Sequence, residues 1–242
     1  MPEITLRFYG YLSEIASTQE TTISLPILPS VKHLLEHCGI PHTEIDLVVC
    51  DGETLPLHAH PPEGSRLAIY PRWHTLPIEH NHQIPDPIRF VLDVHLGKLA
   101  RLLRMMGFDT LYETHFSDQK LISLSQTQKR ILLTRDKGIL YHNTVTYGHW
   151  VRSQDPLKQL KEILDLYELF QKIQPFSRCL VCNGELQSIE KSSILHLLPP
   201  RVQSWCSEFW QCNQCQRVYW KGSHYDHMQT TISHILRSPL DK

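Results

Sequence analysis

Two apolar runs in this chain end in an aspartate: Phe90-Val91-Leu92-Asp93 and Ile131-Leu132-Leu133-Thr134-Arg135-Asp136. Short apolar runs that break at a carboxylate read as buried parallel strands with the acid at the C-terminal edge. Open α/β sheets place their active sites at that edge. Two such acids there could hold a divalent cation against a phosphate. Asp118 and Asp155 sit at or near predicted helix starts and are further candidates, followed by Asp109 and Glu113. Clustered carboxylates repel one another unless a cation neutralises them, and hard oxygen ligands favour Mg²⁺ or Mn²⁺. Such an ion would activate water and stabilise charge on phosphate oxygens, which is the chemistry of phosphodiester hydrolysis. Helix capping is the competing reading, since an Asp between a strand and a helix is also a good N-cap.

Cations stand close to the first acid. Leu96, Leu99, Ala100, Leu103 and Met106 recur as one core-facing helix stripe, with Lys98, Arg101 and Arg104 at successive threes on the opposite side. Three cations on one stripe fit the spacing of backbone phosphates; a solvated helix face gives the same pattern. Arg135, beside Asp136, could contact phosphate or a neighbouring carboxylate. The net charge of −1 hides an asymmetry. Residues 1–80 carry 4 Lys/Arg against 10 Asp/Glu, residues 86–175 carry 13 against 10, and residues 176–242 carry 7 against 5. The acidic front is not a nucleic-acid surface, and the basic remainder could be one.

Seven cysteines include two pairs, Cys179-x-x-Cys182 and Cys212-x-x-Cys215, with Cys38, Cys50 and Cys206 alone. Each Cys-x-x-Cys turn aims both thiolates at one point, so two of them make a Cys₄ zinc site. Turn formers follow each pair, Asn183-Gly184 and Gln216. Four thiolates leave no open position, so this zinc is expected to be structural and to supply folding energy that a small core lacks. Cys206 is expected to be a buried or partly buried free thiol. Paired cysteines, a start at Met1-Pro2-Glu3 without a basic-then-apolar leader, and apolar runs far short of a bilayer span lead to an expected cytoplasmic, membrane-free protein.

The elements that must position these groups fall into three segments, expected at 1–80, 86–174 and 175–242. Residues 4–10 and 21–25 alternate like strands, a helix covers 31–37 between Ser30 and Gly39, and strands follow at 47–50 and 66–70. This ββαββ order, with Arg7-Phe8-Tyr9-Gly10-Tyr11-Leu12 near the start, resembles the ubiquitin-like sulfur carriers of the ThiS and MoaD type. Those carriers need a C-terminal Gly-Gly, and no glycine occurs between Tyr70 and Gly97. The β-grasp module is therefore read as a docking or stabilising domain. Residues 71–87, with Pro71, Pro77, Pro85 and Pro87, read as a linker. Its histidines His74, His80 and His82 could bind metal, but solvated linker residues are the favoured reading. From 88 to 173 strands and helices alternate: helix 96–106, strand 110–112, helix 118–129, strand 131–134, helix 137–142, strand 147–151 and helix 155–173. That order implies a parallel α/β sheet. The remainder reads as a metal-stapled module with helical period only at 189–198.

The segment Val91 to Thr110, with Ile131 to Asp136, resembles the PIN-fold ribonuclease domain at the C-terminus of the Mut-seven exonucleases. The likeness continues through Val151-Arg152-Ser153-Gln154-Asp155-Pro156, Cys179 to Leu186, Leu198 to Val202, Phe209 to Cys212 and Tyr219 to His224. It implies an α/β PIN-like domain, a C-terminal zinc ribbon, RNA as partner, ribonuclease activity, and an N-terminal ubiquitin-like domain available to a protein partner. It also brings Arg152 into the RNA-contact set. This chain has fewer acids than the family between Glu113 and Asp118, and Asp118 matches best there. Two functions are therefore carried forward. One is a metal-dependent ribonuclease; the other is a non-catalytic RNA- or ribosome-binding adaptor with a structural zinc ribbon.

Overall fold

The computed structural model describes residues 1–72 and 84–237; the linker histidines His74, His80 and His82 lie outside the described residues. In chain order the elements are β1 (Glu3–Phe8), α1 (Leu12–Ile15), β2 (Glu20–Ser24), α2 (Val31–His37), β3 (Leu47–Cys50), β4 (Glu53–Thr54) and β5 (Arg66–Tyr70). Next come β6 (Arg89–Leu92), α3 (Gly97–Met105), β7 (Asp109–Leu111), α4 (Asp118–Gln128), β8 (Ile131–Thr134), α5 (Lys137–Leu140), β9 (Gly148–Trp150) and α6 (Pro156–Leu166). The last stretch holds β10 (Leu186–Ser188), α7 (Lys191–Ile194), α8 (Pro200–Trp205), β11 (Phe209–Cys212), β12 (Val218–Trp220) and α9 (Ser223–Arg237). Among the described residues no helix is long and apolar enough to cross a membrane. The chain groups into two compact units, Met1–Pro87 with Ser117–Trp150, and Ile88–Phe116 with Val151–Lys242.

In the first unit, β1 to β5 form one sheet in the order β2-β1-β5-β3-β4, with β1 and β5 parallel and the other pairs antiparallel. This is the β-grasp expected from the sequence. Alternation in β1 buries Ile4, Leu6 and Phe8 and leaves Glu3 and Arg7 exposed, as a strand with one wet face requires. Leu34 and Leu35 of α2 close the core over that face. Gly39 takes φ +78°, the left-handed turn that ends α2. Ser30 has the extended backbone of an N-cap, but its hydroxyl meets His33 Nδ1 at 3.0 Å and no backbone N–H. The same unit holds α4, capped by Ser117 through the N–H of Lys120 at 3.3 Å, and the parallel pair β8 and β9.

A buried carboxylate ties these two parts of the first unit together. Glu44, in the 3-10 turn after α2, is 3 % exposed. Its Oε2 accepts from Tyr11 Oη at 2.9 Å and His149 Nδ1 at 2.9 Å, and its Oε1 accepts from the Trp150 backbone N–H at 2.6 Å. Two residues earlier, His42 sets Nδ1 against Glu36 Oε1 and Nε2 against the Val145 carbonyl, both at 2.9 Å. The Trp150 side chain packs on the β-grasp core. The β-grasp therefore docks on the β9 segment through buried polar bonds.

In the second unit β6 and β7 pair in parallel. The apolar stripe predicted on α3 is buried at Leu96, Leu99, Ala100, Leu103 and Met106, as is Phe90 of β6. Phe90 meets Phe108 and Tyr167 edge-on at 6.1 and 6.2 Å. Helix α6 is shorter than the sequence suggests. It stops at Leu166, and Glu168 turns left-handed at φ +50° between the buried Tyr167 and Leu169. The antiparallel sheet β10-β11-β12 forms the ribbon. Helices α8 and α9 correct the expectation of helical period only at 189–198. In α9 the apolar residues Tyr225, Met228, Ile232 and Ile235 do recur at threes and fours, but intervening His, Gln and Thr hide the period.

Candidate functional site

The four paired cysteines converge. All four Sγ atoms lie within 4.8 Å of one another, and among the described residues this is the group of three or more His, Cys, Asp or Glu side chains placed to share an ion. Cys179 and Cys215 stand 3.6 Å apart and Cys182 and Cys212 3.3 Å apart. Thiolates about 2.3 Å from a tetrahedral zinc stand roughly 3.8 Å from one another, so the set fits one zinc ion with no open position. The turns are built for it. The N–H groups of Cys182, Gln214 and Cys215 donate to Cys179 or Cys212 Sγ at 3.4 to 3.5 Å. Asn183 and Gln216 adopt φ +71° and +58°, the left-handed backbone that closes each knuckle. At Gly184 a Cβ would come within 2.7 Å of Cys212 Sγ, so only glycine leaves the ligand its place.

The thiols also show what a cation would do. Burial works against ionising Cys179, yet the Tyr219 hydroxyl at 3.1 Å and nearby backbone N–H groups bring its thiol down to about 6. Burial and the neighbouring thiols push Cys182 up to about 12, and burial also raises Cys215. Close-set thiols cannot all ionise without a positive charge between them; a dication allows all four to do so. Cys206 is buried and free, as expected, its thiol 3.5 Å from the Glu208 carbonyl.

The first knuckle is plugged into the edge of β7. Asn183 accepts the Thr110 N–H at 2.8 Å and donates to Asp109 Oδ1 at 2.8 Å. Arg178 Nε donates to the Gly107 carbonyl at 3.2 Å. Gly107 has φ +96°, and a Cβ there would sit 2.3 Å from the Gln174 carbonyl. The Gly107-Phe108-Asp109-Thr110 segment is thus a socket for the cysteine turn, which gives Asp109 a structural task. Arg104 belongs to the same joint and is a correction to the expected cationic stripe. It is 4 % exposed. Its Nε donates to the Thr110 carbonyl at 2.9 Å and its Nη1 to the Val181 carbonyl at 2.7 Å, with longer bonds to the Leu180 and Tyr112 carbonyls. Burial lowers its pKa, and Glu113, Cys179 and Cys182 oppose that. The 3.6 period turns the third cation of the stripe toward the ribbon, while Lys98 and Arg101 remain exposed.

Replacing Arg104 with Met should therefore act on stability. Several buried carbonyls lose a charged donor, at a cost of roughly 3 kcal/mol. A urea melt of the zinc-loaded protein reads that loss; unchanged stability with weakened RNA binding would return Arg104 to the phosphate-contact set.

Asp93, Asp136, Asp155 and Asp118 each lie at a helix start. Asp93, buried, accepts the His95 N–H at 2.7 Å through Oδ1 at the 3-10 turn that leads into α3. Asp136, exposed, caps α5 through the Gly138 N–H at 2.7 Å, also on Oδ1. Asp155 caps α6 through Oδ1 with the N–H groups of Leu157 and Lys158, whose bonds hold its carboxyl below the ordinary range, Lys158 contributing most. Asp118 is exposed in the first turn of α4. Asp118 and Asp136 belong to the first unit, Asp93 and Asp155 to the second. Among the arginines, Arg152 pairs with Glu162 Oε1 at 3.3 Å, and the Arg135 carbonyl accepts the Trp150 indole N–H at 3.2 Å.

The chain thus carries a β-grasp domain, parallel α/β strands that end in aspartates, and a ribbon with a Cys₄ cluster. Residues 88–232 match the Mut7-C RNAse domain and residues 1–76 the Mut7-C ubiquitin domain. The first match spans more than half of the chain, which therefore belongs to the Mut7-C RNAse domain family, with the ubiquitin-like domain in front. No curated protein matches it. Among solved structures the chain is similar to the small archaeal modifier protein 1 of Haloferax volcanii, at 17 % identity over 29 % of this chain and 98 % of that one, TM-score 0.26. It is also similar to a putative molybdopterin converting factor subunit 1 from Pyrococcus furiosus, at 13 % identity over 29 % and 98 %, TM-score 0.26.

Proposed function

We propose that the chain is a metal-dependent ribonuclease that hydrolyses RNA phosphodiester bonds through Asp93, Asp136, Asp118 and Asp155. The observation that carries this reading is the match of residues 88–232 to an RNAse domain. The capping bonds are compatible with it, because Asp136 and Asp155 use Oδ1 for the cap and a carboxylate has a second oxygen for a cation. Mg²⁺ or Mn²⁺, when bound, would supply the activated water and the charge on the phosphate. Lys98 and Arg101 would orient the RNA backbone, with Arg135 and Arg152 as further phosphate contacts. The three-part division at 80, 86 and 174 is our reading of the domains, with the β-grasp offering its free faces to a protein partner.

Asn substitutions separate the two roles of these acids. Asn keeps the Oδ1 acceptor and the cap but removes the charge. Asp93→Asn and Asp136→Asn should each lower Mn²⁺-dependent cleavage of labelled single-stranded RNA on the order of a hundredfold, with zinc content and melting temperature kept. Cleavage that persists in both variants would remove these acids from the mechanism. The adaptor reading has its own support, since the caps alone account for three of the acids. RNA binding without cleavage under any divalent metal would establish it.

A further inference from the structure

The cysteine module carries an aromatic cleft that neither the metal nor the acids use. It has a volume of about 470 Å³ and is walled by Trp205, Trp220, Tyr219 and Tyr225, with Arg101 and His224 also lining it. That volume lies in the ordinary range of small-ligand sites. Trp205 is 58 % exposed, although an indole on a metal-stapled module has an apolar core within reach. Gly222 lies between the two indoles. A Cβ on it would meet Trp220 Nε1 at 3.3 Å and Trp205 Cη2 at 3.8 Å, so the glycine keeps the space between the ring systems open. The lining includes a fixed cation and no carboxylate. Arg101 comes from α3, where Lys98 is exposed one turn earlier.

We propose that this cleft stacks an unpaired base of single-stranded RNA, with Arg101 and Lys98 taking the adjoining phosphates. Flat aromatic walls accept any base by its π-face, and cations at the edge track the backbone. An apolar peptide side chain would fill the walls but leave Arg101 without an anionic partner; a nucleotide satisfies both. The cleft rests on the chain being RNA-acting, but not on its cutting RNA.

The test uses full-length, zinc-loaded protein carrying Asp136→Asn, with fluorescein-labelled oligouridylate and oligoadenylate read by anisotropy. Trp205→Ala should weaken binding about tenfold for both sequences, the loss of one base–aromatic stack. Trp205→Phe should restore most of it, and Gly222→Leu, which fills the floor, should weaken it similarly. Arg101→Ala should weaken binding and flatten its salt dependence. Unchanged affinity in Trp205→Ala and Gly222→Leu proteins with full zinc content overturns the proposal and leaves the cleft to a protein segment; so does wild-type protein that binds neither oligonucleotide. RNA held through Trp205 but never cut leaves the cleft standing and removes the ribonuclease reading. RNA cut by wild-type protein while Trp205→Ala binds normally does the reverse.

Discussion

Cys212→Ser, or removal of zinc by a chelator, should unfold residues 177–237 while the β-grasp stays folded. The ribbon has short strands and a small core around Phe209, Ile194 and Leu198. The free energy of structural zinc binding in such modules is on the order of 10 kcal/mol and is largely folding free energy. The β-grasp keeps an apolar core of its own, built on residues such as Leu6, Leu34 and Ile69. Calorimetry should show one transition moving or vanishing and another unchanged, and metal analysis should give one zinc per chain before treatment. The damage should spread beyond the ribbon. Arg104 loses the Leu180 and Val181 carbonyls and the Thr110 N–H loses Asn183 once the first knuckle opens, so amide exchange at β7 should rise with the loss of zinc. The sign with pH follows from the thiols. Cys182, pushed up to about 12, and the raised Cys215 hold protons in the metal-free cluster. They must release these to bind a cation, so affinity climbs with pH and acid expels the metal. A ribbon that stays folded without metal would reject this account.

What the sequence made legible was whatever follows from local pattern. Period-2 alternation located β1 and β2, and the apolar stripe of α3 named its buried face. The two Cys-x-x-Cys turns named four ligands that the fold brings together. The missed features are those whose partner is far along the chain. Arg104 looked like a third phosphate contact because spacing alone cannot tell a solvated guanidinium from one aimed at the carbonyls of Leu180 and Val181. Asn183 looked like a turn former, which it is, but its amide also holds Asp109 and Thr110 from more than seventy residues away. The aspartates are legible in position and double in meaning, since the residue that suits a strand-end metal site also suits an N-cap. Glu44 gave no signal at all. An acid in a 3-10 turn of an acidic domain reads as surface, and only the fold brings Tyr11 and His149 to it.

Glu44→Ala should therefore destabilise the first unit by about 3–5 kcal/mol, the cost of removing one partner from a buried ionic and hydrogen-bonded set. The alanine leaves the His149 ring, the Tyr11 hydroxyl and the Trp150 N–H facing a cavity that water reaches poorly, since Glu44 and His149 are 3 % and 1 % exposed. A buried donor that loses its acceptor costs about 1–3 kcal/mol, so the sum is dominated by the bonds lost more than by the lost side chain. Glu44→Gln should cost much less. Its carbonyl oxygen can keep the Trp150 N–H in the place of Oε1, and its NH₂ can donate where Oε2 accepted. The Tyr11 hydroxyl can rotate to accept and His149 can move its proton to Nε2. A denaturant series on both variants, with tryptophan fluorescence reporting Trp150, tests this by the midpoint and the slope. Alanine and glutamine variants of equal stability would mean that the carboxylate contributes through packing alone. In that case the β-grasp would be held to β9 by Trp150 against its core. An alanine variant that loses little stability but becomes sensitive to protease between β-grasp and α4 would instead make the carboxylate a latch for docking, with each part stable without it.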